Sequence, residues 1–234
     1  MENTFAETGG IRPVATAAPE TRARFIIRTY AHVFGAIMAF TAIEVALFKT
    51  GAAERIAATL LGGSWLLVLG GFMVVSWLAS RVAHSARSMG AQYAALLGFV
   101  IAEAIIFVPL LWIADARAPG VIGSAALTTI IGFTGLTAIA FGTGKDFSFL
   151  GGLLKWIGFC ALGLIVAAVF FDLTLGSWFS IGMIAFAGGA ILYDTSNVIR
   201  RYPEERYVGA ALELFASVAL MFWYVLRLFI GSRN

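Results

Sequence analysis

Residues 188–227 read GGAILYDTSNVIRRYPEERYVGAALELFASVALMFWYVLR. Two long apolar segments flank the short charged turn Arg200-Arg201-Tyr202-Pro203-Glu204-Glu205-Arg206. Each segment is long enough to cross the hydrocarbon of a bilayer, which takes ~20 mostly apolar residues. Each also carries one acid. Asp194 lies inside the first segment, and Glu213 lies inside the second with Ser217 one helical turn later. An ionisable side chain in an apolar span costs at least ~2.5–3.5 kcal/mol, so such residues are rare and face a partner or a water-filled cavity.

The rest of the chain has the same character. Of its 234 residues, 60% are hydrophobic and only 12% charged, against about 25% charged in ordinary soluble domains. Mean hydropathy is +0.91. These values predict an all-α membrane protein. Seven stretches satisfy the length requirement: about 29–48, 58–80, 90–113, 120–142, 150–171, 177–199 and 207–230. Their short connections place them in one domain, residues 29–234. Glycines recur within them, at Gly132, Gly135, Gly158, Gly163, Gly182, Gly188 and Gly189 among others, and small residues let helix backbones approach closely in lipid.

Residues 1–28 form a polar tail. Gly9-Gly10, Pro13 and Pro19 predict disorder near its start. With few apolar residues to bury, residues 2–20 are expected to be dispensable for folding. No apolar core follows Met1, so no cleaved signal peptide is expected.

Lys and Arg set the expected orientation. With the N-terminus cytoplasmic, that side holds Arg12, Arg22, Arg24, Arg28, Arg81, Arg87, Lys145, Lys155, Arg200, Arg201 and Arg206. The far side holds Lys49, Arg55, Arg117, Arg227 and Arg233. The bias predicts a cytoplasmic N-terminus and, after seven spans, an outer C-terminus. A net charge of +3 spread over loops argues against nucleic acid as a partner. The single cysteine, Cys160, excludes an intrachain disulfide.

The intramembrane acids divide by depth. Asp194, Glu213 and Arg81, which ends the second span, fall on the cytoplasmic side and are expected to meet. Asp194 with Arg81 reads as a salt bridge between the second and sixth spans. Glu44 falls in the outer part of the first span and Glu103 near the middle of the third. Glu213, Ser217 and Tyr224 share one helical stripe, either a packing seam or the lining of an ion path.

Catalytic motifs fare poorly. Tyr193-Asp194 is similar to the YD motif of presenilin-type proteases, but its GxGD partner is absent; the nearest text, Gly142-Thr143-Gly144-Lys145-Asp146, interposes a lysine. The same text is no phosphate-binding loop, because residue 139 is isoleucine and Asp146 stands where Ser or Thr is needed. His32 and His84 offer no metal spacing, and no cofactor is implied.

Two separated motifs do carry a resemblance. Ala190-Ile191-Leu192-Tyr193-Asp194-Thr195-Ser196-Asn197, with the charged turn and Val225-Leu226-Arg227-Leu228, resembles the Bax inhibitor-1 family. Lys145-Asp146-Phe147-Ser148-Phe149-Leu150-Gly151-Gly152 resembles the KDxSFLGG text of that family's bacterial YccA-like branch. The resemblance covers the second to seventh spans. It implies a fold with six helices packed around a central seventh, in the inner membrane. It also implies a non-enzymatic protein, either a modulator of the membrane protease FtsH or a pH-influenced calcium leak channel. In the family's channel scheme two aspartates, on the sixth and seventh helices, share a proton and an arginine pairs with them. Asp194 matches the first aspartate, and Arg81 is the candidate arginine. The family's LYLD segment reads Leu214-Phe215-Ala216-Ser217 here, so Ser217 occupies the second acid's position. Glu213, one turn earlier, is the acid available to replace it.

Overall fold

The computed structural model describes residues 13–85 and 88–232. The Gly9-Gly10 start of the tail and the basic residues Arg12, Arg87 and Arg233 lie outside them. Among the described residues eight α-helices follow one another: α1 (Pro19–Lys49), α2 (Ala52–Gly62), α3 (Trp65–Ser85), α4 (Met89–Arg117), α5 (Val121–Thr143), α6 (Leu150–Phe170), α7 (Ser177–Arg200) and α8 (Tyr207–Gly231). All except α2 are long and apolar enough to span a membrane.

The expected second span, 58–80, is divided by Gly62-Gly63-Ser64. Backbone at Gly63 is extended, which ends α2 and lets α3 start afresh at Trp65. With 11 residues, α2 is about 16 Å long, too short to cross. It packs its Ala53 and Ala57 face with Val108 of α4. Pro109 lies inside α4, where it removes one backbone donor; neighbouring helices make such a break tolerable in a membrane span.

The C-terminal helix is the axis of the bundle. It packs against α1, α3, α4, α5 and α7, while α6 rests on α7 and faces α8 across a cavity. Ala210, Ala211, Leu212, Leu214 and Leu226 of α8 are wholly enclosed. The outer helices turn large apolar groups outward, including Leu67, Trp156, Phe159 and Trp178, as helices bathed in lipid do.

The N-terminal segment is more tightly held than its polarity predicts. α1 begins at Pro19, ahead of the expected residue 29, with proline at its first turn where the missing N–H costs nothing. Upstream, the Val14 N–H donates to the Tyr202 carbonyl at 2.8 Å, and Pro13 bridges to Pro203. Val14 is only 1% exposed, packed with Phe25, Val198 and Ala210. Of the stretch 2–20, the described residues 13–20 contribute contacts to the folded bundle. Their deletion is expected to cost at least the ~1.5–3 kcal/mol that burying one valine provides. A fluorescence thermal-unfolding midpoint measured in detergent checks this, and an unchanged midpoint would refute it.

Candidate functional site

The site is built where α3 and α7 end and α4 and α8 begin. Glu213 and Ser217 stand one turn apart on α8, so their side chains project from the same face. Asp194 comes from α7, which packs along α8. The Ser217 hydroxyl donates to Asp194 Oδ2 at 2.6 Å. On α3, the Ser80 hydroxyl donates to Glu213 Oε1 at 2.5 Å, and His84 Nδ1 lies 3.7 Å from the same oxygen. A carbonyl only accepts, so the 2.8 Å contact between His84 Nδ1 and the Ser80 carbonyl puts a proton on Nδ1. In the neutral ring, Nε2 then accepts from the Tyr202 hydroxyl at 3.1 Å. Tyr202 sits in the turn between α7 and α8; burial pushes its phenol well above the ordinary value, and the Glu213 and Asp194 carboxyls add to that. It is therefore held as a neutral hydroxyl.

Close helix contact makes this possible. A Cβ placed on Gly209 would lie 2.9 Å from the Ala83 carbonyl oxygen, so α8 approaches α3 backbone to backbone. The Arg206 guanidinium also donates to that carbonyl, at 3.4 Å.

Arg81 does not join the acids. It is exposed and its guanidinium lies over the Trp77 ring of its own helix, 5.2 Å from the centroid. The expected Arg81–Asp194 salt bridge is thus replaced by the Ser217–Asp194 hydrogen bond. The reason is helical phase: Ser80 and His84, four residues apart, face α8, and Arg81 is turned about 100° away from Ser80. Sequence reasoning missed Ser80, His84 and Tyr202. The i, i+4, i+8 spacing of Ser76, Ser80 and His84 was the available signal.

Below this network lies a cavity of about 890 Å³, bounded by α3, α4, α6, α7 and α8. Glu213, Ser217 and Tyr224, the stripe expected on the last span, all line it. Ser217 therefore stands between Asp194 and the cavity. Glu103 enters from the middle of α4, and Asp172 and Arg227 lie at the far end. Arg227 donates to the Leu175 carbonyl at 2.7 Å and sits over Phe179, tying the α6–α7 connection to α8. Glu44 is elsewhere. It lines a second, smaller cavity between α1, α4, α5 and α8.

The two sequence motifs are physically one unit. The Phe147 N–H donates to Ser196 Oγ at 3.0 Å, and the Ser196 hydroxyl approaches Asp146 Oδ1 at 3.4 Å. The Arg200 guanidinium donates to the Gly144 carbonyl. A Cβ on Gly151 would meet the Tyr193 ring at 2.8 Å. The 144–152 segment thus clamps the end of α7 that carries Asp194. Asp146 itself is exposed; the Ser148 N–H, with help from Arg201 and Arg200, holds its carboxyl below the usual range. Asp146 and Asp194 have different partners, the Ser148 N–H and Arg201 for the first and Ser217 for the second. Among the described residues there is no cluster of three His, Cys, Asp or Glu able to hold a metal ion.

Residues 22–234 match the family described as inhibitor of apoptosis-promoting Bax1. An uncharacterized protein of Pseudomonas aeruginosa is 31% identical over 70% of this chain and 72% of its own length. Protein LIFEGUARD 4 of Arabidopsis thaliana is 27% identical over 93% of this chain and 88% of its own. Bax inhibitor 1 of Schizosaccharomyces pombe is 26% identical over 92% of this chain and 79% of its own. With the match spanning all seven membrane helices and both motifs, the chain belongs to the Bax inhibitor-1 family of multi-pass membrane proteins.

Proposed function

We propose that the large cavity is part of a cation pathway across the membrane, with calcium the ion to test first. One observation carries the reading: a cavity of about 890 Å³ runs along α8 with Glu103 and Glu213 in its wall and its lining arginine, Arg227, at one end. Carboxylate and hydroxyl oxygens are the hard ligands calcium favours, and calcium accepts irregular geometry. Glu103 and Glu213 attract the ion, Ser217 offers a hydroxyl oxygen, and Arg227 guards the end beside Asp172. Asp194 acts on the path through Ser217.

The test is calcium entry into liposomes carrying the purified protein. Wild type is expected to conduct, and Glu103→Gln to lower the flux about tenfold or more, as loss of one charge-assisted contact of roughly 1.5–3 kcal/mol implies. Equal flux in wild type and Glu103→Gln would sink the assignment of Glu103. No flux above protein-free liposomes would sink the pathway itself, and would favour regulation of a partner, such as restraint of the membrane protease FtsH.

The Lys and Arg distribution supports a place in the bacterial inner membrane with the Ser80–Glu213–His84 network at the cytoplasmic end. A reporter fused after Asn234 should then be active only outside the cytoplasm.

A further inference from the structure

The second cavity, of about 350 Å³, lies on the opposite face of α8 from the proposed pathway and is lined there by Phe215, Val218, Ala219 and Phe222. Its size is at the lower end of small-ligand pockets, roughly 300–1,000 Å³. α1 and α5 form its flanks. Val45 and Ile130, one from each flank, are exposed on the outer surface of the bundle, so the cavity meets the lipid-facing side. Its walls are almost wholly apolar, with Phe40 and Phe48 beside Phe222.

Glu44 stands in the wall of this apolar space, its carboxylate oxygens buried. It is only 7% exposed, and neither carboxylate oxygen has a hydrogen-bond partner among the described residues. Such a group is costly to bury alone. Asp115, near the end of α4, lines the same cavity, and Thr41 and Thr129 add hydroxyls. Both hydroxyls are already donated to backbone carbonyls of their own helices, Thr41 to Ile37 and Thr129 to Ala125. They therefore leave Glu44 unserved. An acidic, otherwise oily cavity open to the lipid side complements a ligand with the opposite charge and an apolar body.

We infer that this cavity binds a lipid-soluble alkylammonium ion, its cationic head on Glu44 and its chain among the phenylalanines. The head supplies the hydrogen-bond donors that Glu44 lacks, and aromatic faces favour a nearby cation. Asp115 attracts the same charge at the mouth. The site is independent of the ion pathway, because α8 separates the two cavities.

The experiment uses the full-length protein purified in a maltoside detergent. Dicyclohexylcarbodiimide, an apolar reagent for buried carboxyls, is applied and the modified peptides are identified by mass spectrometry. Glu44 is expected to be modified. N,N-Dimethyldodecylamine, whose protonated head keeps one N–H donor and forms no amide with the activated carboxyl, is expected to protect it at a concentration at least about tenfold below dodecanol, the margin one ion-paired contact supplies. Modification of Glu103 should be unaffected by the amine. The same amine should also raise the unfolding midpoint of wild type but not of Glu44→Gln. An unreactive Glu44, equal protection by the alcohol, or loss of labelling at Glu103 in parallel with Glu44 would overturn the inference. The wild-type labelling decides it even if Glu44→Gln folds poorly.

Discussion

Replacing Ser217 by aspartate is expected to make ion flux steeply dependent on pH. The Ser217 hydroxyl lies 2.6 Å from Asp194 Oδ2, so the substitution sets a second carboxyl directly against the first. Carboxylates in such contact share one proton, because like charges about 3 Å apart do not both ionise readily. The pair then titrates as a coupled unit. As pH rises and the shared proton leaves, repulsion of about 4 kcal/mol at 4 Å and an effective dielectric of about 20 pushes α7 from α8. The pair sits at the edge of the large cavity, so flux in Ser217→Asp should rise with pH and shut off on acidification. The change should reach about tenfold or more, since 1.36 kcal/mol already corresponds to one such factor. Wild type, with a serine donor there, should respond weakly. Ser217→Asn, which adds bulk without charge, should also respond weakly. Calcium flux at several pH values in liposomes, for wild type, Ser217→Asp, Ser217→Asn and Glu213→Gln, checks this. Steep acid closure in wild type that survives Glu213→Gln would refute it, because no second carboxylate would remain on that face of α8.

The second large effect concerns stability. A Cβ at position 209 would sit 2.9 Å from the Ala83 oxygen and 3.4 Å from its carbonyl carbon. Both are backbone atoms of α3, which do not swing aside as the end of a side chain does. Gly209→Ala must therefore move α8 away from α3, at the ~1–3 kcal/mol typical of overpacking; Gly209→Val adds two methyl groups to the same collision and should cost more. The displacement would also loosen Arg206 from the Ala83 carbonyl and draw Glu213 away from Ser80 and His84. Gly98→Ala in α4 is the control. Its Cβ would meet nothing within 4 Å, and alanine is favoured over glycine in a helix by about 0.5–1 kcal/mol. Thermal midpoints in detergent should thus fall for Gly209→Ala and hold or rise for Gly98→Ala. Equal midpoints for the two would show that α3 and α8 are not held backbone to backbone.

The seven spans were legible in the sequence because the bilayer imposes a length of apolar residues that composition alone reveals. The stripe of Glu213, Ser217 and Tyr224 was legible too, since helical periodicity is local, and all three line one cavity. What faces what was decided by the tertiary structure. Arg81 and Ser80 are neighbours in sequence, yet only Ser80 of the two reaches an acid, because the phase of α3 is set where its Ala83 meets Gly209 of α8. A helix in lipid is apolar on its outer face as well as its inner one, so the polar side that orients a soluble helix is missing. For the same reason no residue pattern announced that Glu44 and Glu103 fall on opposite sides of α8. Nor did the polar run before residue 29 disclose that Val14 is anchored to the turn at Tyr202. That contact joins chain segments nearly two hundred residues apart, and only the folded bundle brings them together.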